Sequence, residues 1–207
     1  MIGRRLGARS PGGGGLVADG DDSALLDRAL ADPHAFEPLF TRYWDAVYRY
    51  CLYRLDHRED AEDTAIQVFT KAYASLNRFS ARQGTFRSWL FTIAHNEVAN
   101  RHRQRDRHPG GSLALADAMH DPSPLPEERA LVSLGIAEAR GFLGQLPERP
   151  RRVVELRLAG LTDLEIAAVL GITHAAVRQA QTRAVVHLRN AMGVDATGST
   201  GREAAGV

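Results

Sequence analysis

Within residues 162–190, TDLEIAAVLGITHAAVRQAQTRAVVHLRN, side chains able to meet a polyanion recur at helical spacing. Arg178, Gln179, Thr182, Arg183 and Arg189 fall on one side of the pattern, and Ile166, Leu170, Ile172, Val177, Ala180, Ala184 and Leu188 on the other. Guanidinium, amide and hydroxyl groups so arranged reach phosphate oxygens and base edges together. That chemistry is recognition, not bond making. No HExxH, paired Glu-x-x-His or nucleophile–base motif occurs, and His57, Glu59, Asp60 and Glu62 lack a metal-ligand spacing. The sequence therefore calls for no catalytic residue, no metal and no cofactor.

The elements that must hold those donors are written locally. Thr162 and Glu165 make a Thr-x-x-Glu capping box, which predicts a helix starting at Asp163. Ala167 is small where two helices must approach. Gly171 suits a left-handed turn residue. Thr173 is placed to cap the following helix and also stands among the DNA-facing candidates. This is a helix-turn-helix. Taken alone it also fits a helical hairpin with a solvated basic face, or the reading head of an operator-binding regulator.

Two further sets carry chemistry. DHREDAED at 56–63 concentrates five carboxylates against one arginine, and RHRQRDR at 101–107 four arginines against one aspartate. The net charge of +1 therefore hides opposed patches. On the 60–76 segment Ala61, Ala65, Val68, Phe69, Ala72, Tyr73 and Leu76 share an apolar face, opposite Asp60, Asp63, Gln67 and Lys71. A loop at 77–84 follows, and Thr85 is placed to cap a helix packed through Phe86, Trp89, Leu90, Ile93 and Ala94. Its polar side carries Thr92, His95, Asn96, Asn100 and Arg103. Aromatic and amide side chains beside arginines suit unstacked bases.

The remainder bounds the architecture. A helical pattern starts near Ser23 with Leu25, Leu26 and Leu30, and Pro33 interrupts it. Residues 35–55 carry Phe36, Leu39, Phe40, Tyr43, Trp44, Val47, Tyr48 and Cys51 as one stripe. Cys51, the single cysteine, excludes an intramolecular disulfide and reads as a buried hydrophobe. No strand pair is evident, so the fold class is all-α: two small helical domains joined by a flexible linker. The expected divisions are a disordered leader at 1–22, a first domain at 23–107, a linker at 108–126, a second domain at 127–192 and a disordered tail at 193–207. No export leader or membrane-spanning run is present, and the expected location is the cytoplasm.

Taken together, these pieces resemble a bacterial sigma factor of the extracytoplasmic-function (ECF) group in the sigma-70 family. FEPLFTRYWDAVYRYCLYRL and DAEDTAIQVFTKAYASLNRF resemble the opening of region 2. GTFRSWLFTIAHNEVANRHRQRDR resembles regions 2.3 and 2.4, with landmarks at Phe86, Trp89, Leu90, Ile93, Ala94 and Asn96. LPERPRRVVELRLAGLTDLEIAAVLGITHAAVRQAQTRAVVHL resembles region 4, a helix-turn-helix. The resemblance covers residues 23–107 and 127–192, in the family's order.

The resemblance implies a transcription initiation factor with no active site. It implies binding of core RNA polymerase, on the β′ clamp helices through Asp60, Asp63 and Gln67 and on the β flap, and an anti-sigma factor as a further partner. Arg78, Phe79, Asn96, Asn100, Arg101 and Arg103 would read and melt the minus-10 promoter element. Thr173, Arg178, Gln179, Thr182 and Arg183 would read minus-35 promoter DNA. Three departures weaken any borrowing of a promoter sequence: Ala176 and Ala180 stand where the family usually has threonine and arginine, and Asn100 where many members have aspartate.

Overall fold

The computed structural model describes residues 22–107, 135 and 138–191. Helix α1 (Asp22–Ala31) is followed by a 3₁₀ turn at Pro33–Phe36, then by α2 (Glu37–Arg54), α3 (Arg58–Ala74) and α4 (Phe86–Arg107). Helix α5 (138–144) leads to α6 (Glu148–Leu158), α7 (Asp163–Leu170) and α8 (His174–Ala191). No strand occurs among the described residues, so the all-α expectation holds. Residues 1–21 of the expected leader, the linker and the tail lie outside the described residues, as do 127–134, 136, 137 and 192, whereas Asp22, expected as the last residue of the leader, is the first residue of α1.

Pro33 ends α1 as expected, because proline cannot continue its ladder; Asp32 caps the turn through His34 N–H at 3.0 Å. The N-terminal Asp22 is tied down by α2, accepting from Arg42 at 2.6 Å and from the Tyr43 hydroxyl. Leu26 and Ala29 bury the helix, whereas Leu30 points outward. Along α2 the stripe buries Phe36, Leu39, Tyr43, Val47 and Cys51, with Tyr50 added, while Phe40 surfaces against Trp44 and Phe69. Helix α3 packs through Ala61, Ala65, Val68, Phe69 and Ala72, which lets it lie close to α2 and α4. Tyr73 departs from the expected face: its ring is half exposed, edge-on to Phe36 at 5.4 Å.

Helix α4 is the centre of the molecule. It packs on α2 and α3 along one side and on α7 along another. It therefore buries Phe86, Arg87, Ser88, Leu90, Phe91, Ala94 and Val98, and Trp89 and Ile93 only partly. A helix held between two partners loses the single apolar stripe that periodicity detects.

The second unit closes as its sequence dictates. Pro150 sits in the first turn of α6, where a missing N–H costs nothing. The Thr162–Glu165 capping box is formed, α7 starts at Asp163, and Gly171 ends it with φ 62°. Thr173 accepts from Ala176 N–H at 3.2 Å and caps α8. Gln181 Nε2 donates to Asp163 Oδ1 at 2.8 Å and fixes the angle between α7 and α8. Val153, Leu156, Leu161, Ile166, Val177 and Ala180 form its core, and that core runs on without a break into the one built by α1 to α4.

Candidate nucleic-acid interface

Helix α8 presents the first set of donors. Val177, Ala180 and Ala184 face α6 and α7, so the same helical turns force Arg178, Gln179, Thr182 and Arg183 outward, and all four are exposed. Among the described residues the side chains of Arg178, Gln179 and Arg183 make no hydrogen bond or ion pair, which leaves their donors available. Thr182 back-bonds to the Arg178 carbonyl at 3.1 Å, and its oxygen can still accept. Thr173 is exposed at the start of the helix, with its hydroxyl occupied by the cap.

The second set lies along α3 and α4. Asn96 and Arg78 line an open groove with Lys71, Ser75, Ile93 and Glu97. A neighbouring groove of about 310 Å³ runs on past Asp63, Gln67, Asn100 and Arg101, sharing Lys71 and Glu97 with the first. The two adjoin as one track, more apolar around Ile93 and more polar around Asn100. Lys71 Nζ pairs with Glu97 at 2.7 Å, Glu97 accepts from Asn100 at 3.3 Å, and Asn100 accepts from Arg103. This relay orients Asn100 and Arg103, and sequence reasoning missed the part of Glu97. The signal was the only lysine of the chain, one turn after Gln67. Arg101 is ion-paired with Asp60. The acidic and the basic candidates thus share a ridge and are not segregated to separate faces, although Asp63 and Gln67 stay exposed.

Beside this track Phe79 is half-buried, edge-on to Phe86 at 5.7 Å and tilted on Trp89 at 5.5 Å. With Ser80, Gly84, Thr85, Ser88, Trp89 and Thr92 it lines a cleft of about 150 Å³ to which α7 adds Ala168. His95, expected on the polar side, instead turns inward and meets the Tyr50 hydroxyl at 3.1 Å. Burial, reinforced by Arg152 and Arg54, lowers its pKa and favours the neutral ring.

Ion pairs couple the units at two places, Arg87 with Glu165, and Arg54 with both Glu155 and Glu148. Glu165 Oε2 accepts from Thr162 N–H at 2.8 Å, while its Oε1 accepts from Thr85 Oγ1 at 2.7 Å and Arg87 Nε at 3.0 Å. Arg54 Nη1 donates to Glu155 Oε2 at 3.0 Å. Burial pushes the Glu155 carboxyl above the usual glutamate range even beside Arg54. Arg54 keeps its proton, and Glu148 Oε1 stands 3.7 Å from the same guanidinium nitrogen.

Burial also works to raise Glu165, but the Thr162 N–H, Thr85 and Arg87 outweigh it and hold that carboxyl below the usual range. Its unfolded value is the higher one, so the stabilisation is complete above the ordinary glutamate value of about 4.3 and is lost as pH falls through the folded value. The expected result is a urea midpoint that drops between pH 5 and pH 3 more steeply for the wild type than for Glu165→Gln. Parallel profiles would remove this role.

Comparison with known proteins decides the family. The family model for Sigma-70 region 2 matches residues 39–108 and that for Sigma-70, region 4 matches residues 142–190. The ECF RNA polymerase sigma factor ShbA of Streptomyces griseus is 38% identical over 176 residues, covering 80% of this chain and 92% of ShbA. The chain belongs to the ECF sigma factors of the sigma-70 family.

The sigma factor also shares its fold with solved relatives. CnrH of Cupriavidus metallidurans, solved in complex with the cytosolic domain of CnrY, superposes with a TM-score of 0.65 at 24% identity over 84% of this chain and 98% of that one. The sigma factor RpoE of Bartonella quintana, solved in complex with the anti-sigma factor NepR, gives 0.59 at 21% identity over 77% and 98%. The chain is a transcription initiation sigma factor, and promoter recognition is the general role of its family. Among the described residues no helix is long and apolar enough to cross a membrane.

Proposed function

We propose that this sigma factor binds core RNA polymerase through the Asp63 and Gln67 face of α3, with Asp60 holding Arg101 in register, and reads a promoter with both units. The β′ clamp helices would meet that acidic face and the β flap would meet the second unit. Complementary charge there speeds encounter and sets register more than it adds affinity. The functional division follows the helices: 23–107 for polymerase and the minus-10 element, 108–126 as tether, 127–192 for minus-35. The flanking 1–22 and 193–207 are left without a role.

Strand opening needs no bond chemistry. Extruding a base costs a few kcal/mol, and stacking on an aromatic side chain returns about 1–3 kcal/mol per base. Phe79 and Trp89 supply such faces, with Arg78, Asn96, Asn100, Arg101 and Arg103 along the adjoining track for the displaced strand. At minus-35, α8 enters the major groove, with Arg178 and Gln179 on base edges, Arg183 on phosphate, and Thr173 and Thr182 as hydroxyl contacts. The chain carries no catalytic role, requires no metal or cofactor, and acts in the cytoplasm. An anti-sigma factor is the partner that would hold it in reserve, as NepR is paired with Bartonella RpoE.

The observation that carries this reading is the unpaired donor face of α8 on a fully capped helix-turn-helix in a chain of this family. Purified protein added to core enzyme from its own host should yield run-off transcripts from a subset of a genomic promoter library, where core enzyme alone yields none. Absence of any transcript would sink the proposal.

A further inference from the structure

The two grooves along α3 and α4 meet at a carboxylate. Glu97 and Lys71 are the residues that line both. Glu97 is the more enclosed of the two, its side chain 13% exposed against 51% for Lys71. An acid on a path for a polyanion works against binding through phosphates. Lys71 Nζ, at 2.7 Å, offsets its charge. The same Glu97 Oε1 accepts from Asn100 Nδ2 at 3.3 Å.

The Asn100 amide therefore lies between opposites. Glu97 stands on its nitrogen side and Arg103 on its oxygen side. A carboxylate can only accept and a guanidinium can only donate. The reversed amide would set its oxygen against the carboxylate and its N–H groups against the guanidinium. One orientation alone satisfies both neighbours. Each bond uses one place on the amide, so one N–H and one lone pair remain, in a fixed order. A donor and an acceptor on one asparagine amide match adenine, which offers its N6 amine beside the N7 acceptor.

We propose that Glu97 is a positioning residue for promoter reading, locking the Asn100 amide so that Asn100 selects adenine at one position of the minus-10 element. This rests on the function proposed above. Glu97 touches no base and acts through Asn100, while Lys71 cancels the charge that Glu97 brings to the DNA path. An ordinary surface pair on a helix would add a few tenths of a kcal/mol to stability and leave base preference alone.

The test is promoter selection by the full chain with core polymerase, from a library randomised across minus-10 and read as run-off transcripts. The wild type should favour adenine at one position by roughly 5- to 150-fold, as one bidentate contact gives. Asn100→Ala should erase that preference and keep the others. Glu97→Gln preserves size but offers Asn100 either a donor or an acceptor. Preference at the same position should fall at least fivefold, with unchanged far-UV circular dichroism. The charge swap Lys71→Glu/Glu97→Lys rebuilds the ion pair yet turns a donor toward Asn100 Nδ2. Thermal stability should match the wild type while the adenine preference stays lost.

Unchanged adenine preference in Glu97→Gln overturns the proposal, and so does its return in the charge swap. Should Glu97→Gln lose helicity, Glu97→Ala takes its place under the same criterion. An Asn100→Ala variant that loses no preference, or loses preference for a base other than adenine, also overturns it. In each of these cases wild-type transcripts leave the underlying function standing. A wild type that initiates nowhere removes both.

Discussion

Arg178→Ala is expected to lose about 1–3 kcal/mol of discrimination at one base pair of the minus-35 element, the worth of a good bidentate contact, or roughly 5- to 150-fold in promoter preference. The effect should be confined to that position. Arg178 is exposed on the first turns of α8, unpaired, while Val177 and Ala180 beside it are buried and hold the helix still. A base-reading arginine loses sequence preference when truncated. A phosphate-bound one weakens all sequences alike and lowers the slope of the salt dependence by about one. Selection from a promoter library randomised across minus-35 separates the two. Unchanged preference at every position would move Arg178 from base edge to backbone.

Phe91→Ala is expected to be the most damaging single truncation for stability, at about 3–5 kcal/mol. Phe91 is fully buried in α4, edge-on to Tyr50 at 5.7 Å, in the helix on which α2, α3 and α7 all pack. Neighbours held by so many contacts cannot collapse into the void. The thermal midpoint should fall by roughly 6–20 °C, taking about 2–4 °C per kcal/mol for a chain of this size, and Phe91→Leu should fall much less. A drop under about 1.5 kcal/mol, the ordinary cost of a tolerated apolar swap, would show that α4 is not the centre of the core.

Legibility in the sequence followed the range of the interaction. The capping box at Thr162–Glu165, the left-handed Gly171, the Thr173 cap and the outward face of α8 all depend on partners within about one helical turn. The spacing of residue types was enough to place them, and enough to place the family. On α4 the same reading faltered. Phe91 and Val98 were not expected to be core, and His95 was expected on the polar side, because a helix packed on two sides has no single apolar period.

The candidate track along α3 and α4 was half visible for a similar reason. The candidates other than Glu97 were named each from its own helix, but the pairing of Asp60 with Arg101 and the Lys71–Glu97–Asn100 relay join two helices. Periodicity within one helix carries no record of what the next helix offers it.

Local chain chemistry by itself settled that this protein is helical, where its helix-turn-helix begins and turns, and which donors face outward, since hydrogen bonds of three or four residues' reach decide those features. Only the tertiary structure decided that Arg87 meets Glu165 and Arg54 meets Glu155, 78 and 101 residues away. Such contacts depend on the shape and charge of whole faces brought together, and buried arginines and glutamates look in sequence like any solvated pair until a neighbour covers them.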